Sequence, residues 1–107
     1  MDDVWKYKAR LAPICEKWRI REFAVFGTAA RGELRRGSDV DALVSFDPEV
    51  ELDLIDILHL QDELEALFGR KVDLVEREAI ETSDNWLVKR EILGSAEPLY
   101  ATNRNRC

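Results

Sequence analysis

Residues 23–46 read FAVFGTAARGELRRGSDVDALVSF, and the fold is predicted mainly from this segment. Its first four residues form a compact apolar run that stops at Gly27, as a short buried strand would. Residues 29–35 are rich in Ala and Arg, which favour a helix. After a short turn, residues 40–46 alternate in the period of two that is typical of a half-buried strand. The predicted order is therefore strand, glycine turn, helix and strand.

Carboxylates occupy one face of the second of these strands. Because side chains alternate along a strand, Asp39 and Asp41 share a face with Leu43 and Ser45, with backbones about 7 Å apart. The opposite face carries Val40, Ala42, Val44 and Phe46. A later strand at 71–76 places Asp73 on the face opposite its apolar neighbours. Three aspartates without a nearby His or Cys offer the oxygen ligands that magnesium prefers and zinc does not. They form a candidate magnesium site.

The glycine turn is a candidate phosphate-binding element. A helix N-terminus presents unpaired N–H groups and the positive end of the helix dipole, and Gly27 lets the backbone approach a phosphate while Thr28 adds a hydroxyl donor. Arg31 is placed to neutralise phosphate charge. Taken singly, each of these residues is better explained as turn chemistry or as a solvent-facing position. The order in which they occur together with the aspartates favours the functional interpretation.

The rest of the chain predicts helices. Residues 3–19 form an amphipathic helix that Pro13 kinks or breaks, and a last helix covers roughly 84–93 before Gly94. Residues 52–68 form another helix, which ends at Gly69. We expect its core-facing side to carry Leu54, Ile57, Leu58, Leu64, Leu67 and Phe68.

Length and composition indicate a single globular domain over residues 1–107, with a disordered tail at 101–107. The net charge of −6 disfavours direct binding to nucleic acid, which requires a surplus of Lys and Arg. No apolar run approaches the roughly 20 residues of a membrane span, and we expect a cytoplasmic protein. Cys15 and Cys107 lie too far apart in sequence to suggest a disulfide framework or a zinc site.

The chain resembles the nucleotidyltransferase superfamily of DNA polymerase β, and within it the minimal, stand-alone nucleotidyltransferases (MNT). The resemblance covers about residues 22–76 in specific motifs and the remainder loosely. It depends on Gly27-Thr28, ten intervening residues, Asp39-Val40-Asp41, and a later lone aspartate, Asp73, with Ala30-Arg31-Gly32 and Gly37-Ser38-Asp39 at matching places. Thr28 departs from the family pattern, which has serine there. The threonine keeps the hydroxyl but adds a β-methyl group.

The resemblance implies the nucleotidyltransferase fold, an α/β (α+β) arrangement in which helices flank a small mixed β-sheet. It implies catalytic and metal-binding roles for Asp39, Asp41 and Asp73, with two Mg²⁺ ions and ATP as the substrate. Gly27, Thr28 and Arg31 would bind the nucleotide.

The resemblance also implies a partner. Members of this family pair with HEPN-domain RNase toxins, so we expect a protein adenylyltransferase that acts as an antitoxin. It would transfer AMP to a tyrosine of its toxin and form a hetero-oligomer with it. Two alternatives stay open: an antitoxin that neutralises by stoichiometric binding alone, and a nucleotidyltransferase that acts on a small molecule.

Overall fold

The computed structural model describes residues 7–27 and 39–101, which form four helices and four strands. The predicted helix at 29–35 lies outside these ranges. None of the helices within them has the length and apolar character that crossing a membrane requires. In chain order, the elements are α1 (Lys8–Lys17), β1 (Ile20–Phe26), β2 (Val40–Phe46), α2 (Leu54–Phe68), β3 (Val72–Glu76), α3 (Arg77–Glu81), α4 (Trp86–Ser95) and β4 (Glu97–Ala101).

The strands form one mixed sheet in the order β3-β2-β1-β4. β1 pairs antiparallel with both β2 and β4, whereas β2 and β3 run parallel. A parallel pair needs a crossover between its strands, and α2 supplies it. The prediction of a small mixed sheet flanked by helices is confirmed.

The hydrophobic core lies on the face of the sheet that α1 and α2 cover. The ring of Phe68 meets Tyr7 edge-on at 4.9 Å and lies parallel to Phe23 at 6.3 Å, both measured between ring centroids. The predicted alternation of β2 is confirmed in the buried Val40, Ala42 and Val44, although Leu43 on the opposite face is also buried, because α3 contacts β2. The residues of this core are Leu11, Cys15, Ile20, Phe23, Val25, Val40, Ala42, Val44, Leu60, Leu64, Leu67, Phe68, Val72 and Leu99.

Both ends of α2 are fixed by local sequence. The side chain of Asp53 accepts a hydrogen bond from the Asp56 backbone N–H at 2.9 Å, and the Asp56 side chain accepts one from the Asp53 N–H at 3.2 Å. This reciprocal capping box satisfies two donors that the first turn would leave free. At the other end Gly69 adopts φ +70° and its N–H donates to the Glu65 carbonyl at 2.8 Å. The predicted helix stop at Gly69 is confirmed.

The predicted core face of α2 is wrong in its first turns. Leu54 is 72% exposed and Leu58 is 46% exposed, whereas Leu60, which the prediction omitted, is fully buried. Ile55 is also exposed, so the start of the helix is apolar around much of its circumference and its pattern does not define one face. The helix joins the core from Leu60 onward.

Other boundaries also differ from the predictions. Pro13 does not break α1, which continues through it to Lys17, and α4 runs past Gly94 to Ser95. The short elements α3 and β4 were not predicted. Because β4 includes Ala101, the disordered tail expected at 101–107 is wrong at its first residue, and residues 102–107 lie outside the described ranges.

Candidate active site

Two of the three predicted aspartates lie side by side in the sheet. The parallel register of β2 and β3 aligns Asp41 with Asp73, one residue beyond the aligned and fully buried pair Val40 and Val72. Side chains alternate along each strand, so burial of the two valines directs both carboxylates to the opposite face of the sheet. Asp41 is half-buried and Asp73 is exposed.

Asp39 belongs to the same electrostatic group. It is exposed and immediately precedes β2. Burial is the largest cause of a raised pKa for the Asp41 carboxyl, and the negative charges of Asp73 and then Asp39 raise it further. Like charges disfavour the ionised form of a carboxyl, so this cluster favours a cation in its midst. The structure therefore aligns Asp41 with Asp73 and places Asp39 near enough to act on Asp41 electrostatically.

Gly27 lies against the same cluster. It follows Phe26, which pairs with Asp41 across β1 and β2. Gly27 has φ +71°, and a β-carbon at this position would stand 3.1 Å from the Asp41 Oδ2 atom. Glycine is required here both for the left-handed backbone and for the close approach of the carboxylate. The predicted association of the glycine turn with the aspartates is thus seen at Gly27.

The rest of the predicted phosphate-binding element lies outside the described residues. Thr28 and Arg31 both fall within 28–38, which the structure does not describe. Their nucleotide-binding roles stay predictions. The described part of the site consists of the aspartates and Gly27.

The donor set suits magnesium. Across 7–27 and 39–101, no three His, Cys, Asp or Glu side chains converge closely enough to hold a metal ion alone. Magnesium commonly takes one or two carboxylates, several waters and the phosphates of a substrate, so it does not need such a ready-made set. The adjacent Asp41 and Asp73, with Asp39 nearby, fit this mode of binding. The magnesium role of these residues stays a prediction.

One contact beside the site was not anticipated from the sequence. The Gln61 Nε2 atom donates to the Val72 carbonyl at 2.7 Å, and the Val72 N–H donates to the Glu65 Oε2 atom at 3.1 Å. These bonds attach α2 to the residue that precedes Asp73. The sequence feature that could have indicated this contact is the polar pair Gln61 and Glu65, which lie four residues apart on one face of the predicted helix.

A cavity of about 650 Å³ lies at the other end of the sheet. Its lining includes Phe46 and Glu76, the last residues of β2 and β3, together with Ile57 and Arg77. The aspartates lie at the opposite, amino-terminal ends of the same two strands. The cavity is therefore separate from the candidate active site.

Comparison with known proteins gives the family. Residues 10–98 match the model of the nucleotidyltransferase domain. The chain is 40% identical over 78 residues to the protein adenylyltransferase MntA of Thermococcus cleftensis, a match that covers 73% of this chain and 77% of that protein.

Solved structures share the fold. One described as a minimal nucleotidyltransferase superposes with a TM-score of 0.68 at 30% identity, covering 87% of this chain and 89% of that one. A chain from the complex of a tri-AMPylated Shewanella oneidensis HEPN toxin with an MNT antitoxin superposes with a TM-score of 0.60 at 17% identity, covering 94% and 74% of the respective chains. With aspartates aligned on β2 and β3 and a glycine turn against them, this chain belongs to the nucleotidyltransferase domain family and is a nucleotidyltransferase.

Proposed function

We propose that this chain transfers AMP from ATP to a tyrosine of a HEPN-domain toxin and thereby neutralises it. The observation that carries the proposal is the alignment of Asp41 with Asp73, with Gly27 packed against Asp41. The relation to a protein adenylyltransferase supports AMP as the transferred group. The chain also shares its fold with a chain from the complex of an AMPylated HEPN toxin and its antitoxin, which supports a toxin as the partner.

The aspartates take different roles in this proposal. Asp39 and Asp41 would hold two magnesium ions, and Asp73 would help to ligate one of them and would orient the acceptor hydroxyl. Bound magnesium would neutralise phosphate charge and activate the attacking oxygen. Burial is the largest cause of the raised Asp41 pKa, and the negative charges of Asp73 and Asp39 raise it further. This crowding of negative charge is the feature of the chain that fits such ions.

In this proposal the glycine turn binds the nucleotide. Gly27 brings backbone next to Asp41, so a triphosphate bound by Gly27, Thr28 and Arg31 lies beside the carboxylates. The tyrosine oxygen forms a bond to the α-phosphorus of ATP while the bond from that phosphorus to the β-phosphate oxygen breaks. Pyrophosphate leaves, and the proton of the tyrosine hydroxyl is released to water.

The acceptor approaches from outside the chain. Asp73 is exposed and lies on β3, which is an edge strand of the sheet. A tyrosine presented by a partner protein therefore has access to Asp73 from solvent. This accessibility favours a macromolecular acceptor over a small molecule, which would need an enclosing pocket of its own.

Intact-mass measurement of the HEPN partner tests the proposal. The partner is incubated with this chain, ATP and magnesium, and we expect added mass in multiples of one AMP. The Asp41→Asn chain should add none, whereas Asp62→Asn, which alters an exposed residue of α2, should act like wild type. An unmodified partner in the presence of folded wild-type chain would contradict the proposal.

A further inference from the structure

The start of β3 is bonded on one side to β2, and on its other side no strand of residues 7–27 or 39–101 pairs with it. β3 is the end strand in the order β3-β2-β1-β4. The Val40 N–H donates to the Lys71 carbonyl at 2.8 Å, so that carbonyl faces β2. Consecutive residues of an extended strand direct their peptide groups to opposite sides, so both the N–H and the C=O of Val72 face the open edge. An open edge leaves such groups without partners unless something covers them.

Two side chains of α2 take the place of the missing strand. Gln61 donates to the Val72 carbonyl at 2.7 Å and Glu65 accepts from the Val72 N–H at 3.1 Å. The two residues are four apart on the helix and so lie on one face of it. Both are half-buried, while the Val72 side chain is fully buried on the core side. Val72 is therefore held by its buried side chain and by two backbone hydrogen bonds to α2.

We propose that Gln61 and Glu65 are positioning residues that hold the Asp73 carboxylate opposite Asp41. The proposal rests on the function proposed above, in which Asp73 acts on the metal and the acceptor. Asp73 follows Val72 directly, so a shift of the Val72 backbone displaces the Asp73 carboxylate relative to Asp41. Groups that orient metal ligands in this way typically change metal affinity or activity by about 10- to 100-fold when removed.

Substitutions at Glu65 separate the hydrogen bond from the charge. Glu65→Ala removes both the acceptor and the charge, whereas Glu65→Gln removes the charge but keeps an acceptor oxygen of the same reach. Asp62→Ala removes an exposed charge from the same helix and is the matched control. Gln61→Leu removes the donor to the Val72 carbonyl and keeps a side chain of similar size.

Two measurements need no catalysis. Amide hydrogen exchange by NMR reports the protection of the Val72 N–H, and titration with Mn²⁺ followed by electron paramagnetic resonance reports the metal affinity of the nucleotide-free chain. We expect Glu65→Ala to raise the Val72 exchange rate at least about tenfold and to weaken Mn²⁺ binding about tenfold. Glu65→Gln and Asp62→Ala should stay within about twofold of wild type in both. Gln61→Leu should weaken Mn²⁺ binding several-fold.

The transfer reaction adds a third measurement. In AMP transfer, Glu65→Ala should lower kcat about tenfold with little change in the KM for ATP, because the nucleotide is held by the glycine turn on the other side of the site. Glu65→Gln should restore most of kcat. If Glu65→Ala does not fold, Glu65→Gln and Gln61→Leu carry the comparison.

The outcomes distinguish this inference from the proposed function. Wild-type Mn²⁺ affinity in folded Glu65→Ala, an equal loss in Glu65→Gln, or no Mn²⁺ binding by the wild type would overturn the positioning role. A wild-type chain that binds Mn²⁺ but transfers no AMP would contradict the proposed function. In that case the exchange and Mn²⁺ data would still decide the role of Gln61 and Glu65.

Discussion

Asp41 and Asp73 lie opposite each other on the parallel strands β2 and β3. Burial raises the pKa of Asp41, and repulsion between the two adjacent carboxylates raises it further. The paired carboxylates do not stabilise the fold in the absence of a ligand, but they suit a cation bound between the two strands. Residues that weaken a fold and serve a ligand are typical of functional sites.

Removing one carboxylate should therefore affect activity and stability in opposite directions. We expect Asp73→Asn to lower AMP transfer at least about a hundredfold, the size of effect seen when one electrostatic group of an active site is lost. In the absence of metal, its Tm should equal or slightly exceed that of wild type, because solvent screening keeps the relieved repulsion small. Thermal melts and transfer assays check both parts. A Tm several degrees lower would contradict the repulsion argument.

The glycines offer a matched series for the role of Gly27. Gly27 and Gly69 share a positive φ, so Gly27→Ala and Gly69→Ala should each lose about 1 kcal/mol of unfolding free energy. A β-carbon at Gly69 meets nothing within 4 Å, whereas at Gly27 it meets Asp41 at 3.1 Å. Only Gly27→Ala should also lower AMP transfer, by about tenfold, since Asp41 must move aside. Denaturant titration and transfer rates provide the comparison.

A third substitution controls for the general effect of alanine. Gly94 lies inside α4, and a β-carbon added there would meet nothing within 4 Å. Gly94→Ala should therefore stabilise the chain by about 0.5–1 kcal/mol and leave transfer unchanged. Equal loss of transfer in Gly27→Ala and Gly69→Ala would show that the contact with Asp41 is unimportant.

The Cys15 thiol should be inert in the folded chain. Burial, and to a lesser degree the charge of Glu16, raises its pKa from 9.0 to about 12. The thiolate is the reactive form, so in a Cys107→Ser background we expect negligible labelling by a thiol reagent at pH 8 and full labelling in denaturant. Because the folded chain favours the neutral thiol, burial of Cys15 contributes its full stabilisation below pH 9. This stabilisation is lost as the pH rises from 9 towards 12. Rapid native labelling at pH 8 would contradict this burial.

A cellular test separates catalysis from stoichiometric binding. We expect the double variant Asp39→Asn with Asp41→Asn to lose neutralisation of the toxin, because magnesium can no longer be held and transfer stops. The control, Asp62→Asn with Asp84→Asn, removes the same charge from exposed residues and should neutralise fully. Growth of cells that express the toxin is the readout. If growth persists with the first pair and the toxin stays unmodified, binding is the dominant mechanism.

The prediction of the site from sequence depended on the alternation of side chains along β2. The alternation of residues 40–46 was enough to separate Asp41 from the buried Val40 and Ala42, because α1 and α2 cover the face of the sheet that bears the valine and the alanine. The pairing of Asp41 with Asp73 was not predictable by the same means. Register between parallel strands depends on core packing and on the crossover between them, which no local pattern encodes.

The missed elements have local explanations. β4 is only five residues long and contains Pro98, which argues against a strand unless the strand lies at an edge, as β4 does. Its pairing with β1 joins distant parts of the chain. The exposure of Leu54 and Leu58 was missed for a different reason. An amphipathic pattern shows which residues of a helix are apolar, but it does not show how much of the helix packs against the rest of the protein.

Transfer of radiolabel from ATP shows which phosphate of the nucleotide reaches the partner. The HEPN partner is incubated with this chain and with ATP labelled either at the α-phosphate or at the γ-phosphate. If the chain transfers AMP, we expect label on the partner from the α position alone, and none from either position with Asp41→Asn. Label from the γ position, or α-label that persists with Asp41→Asn, would contradict it.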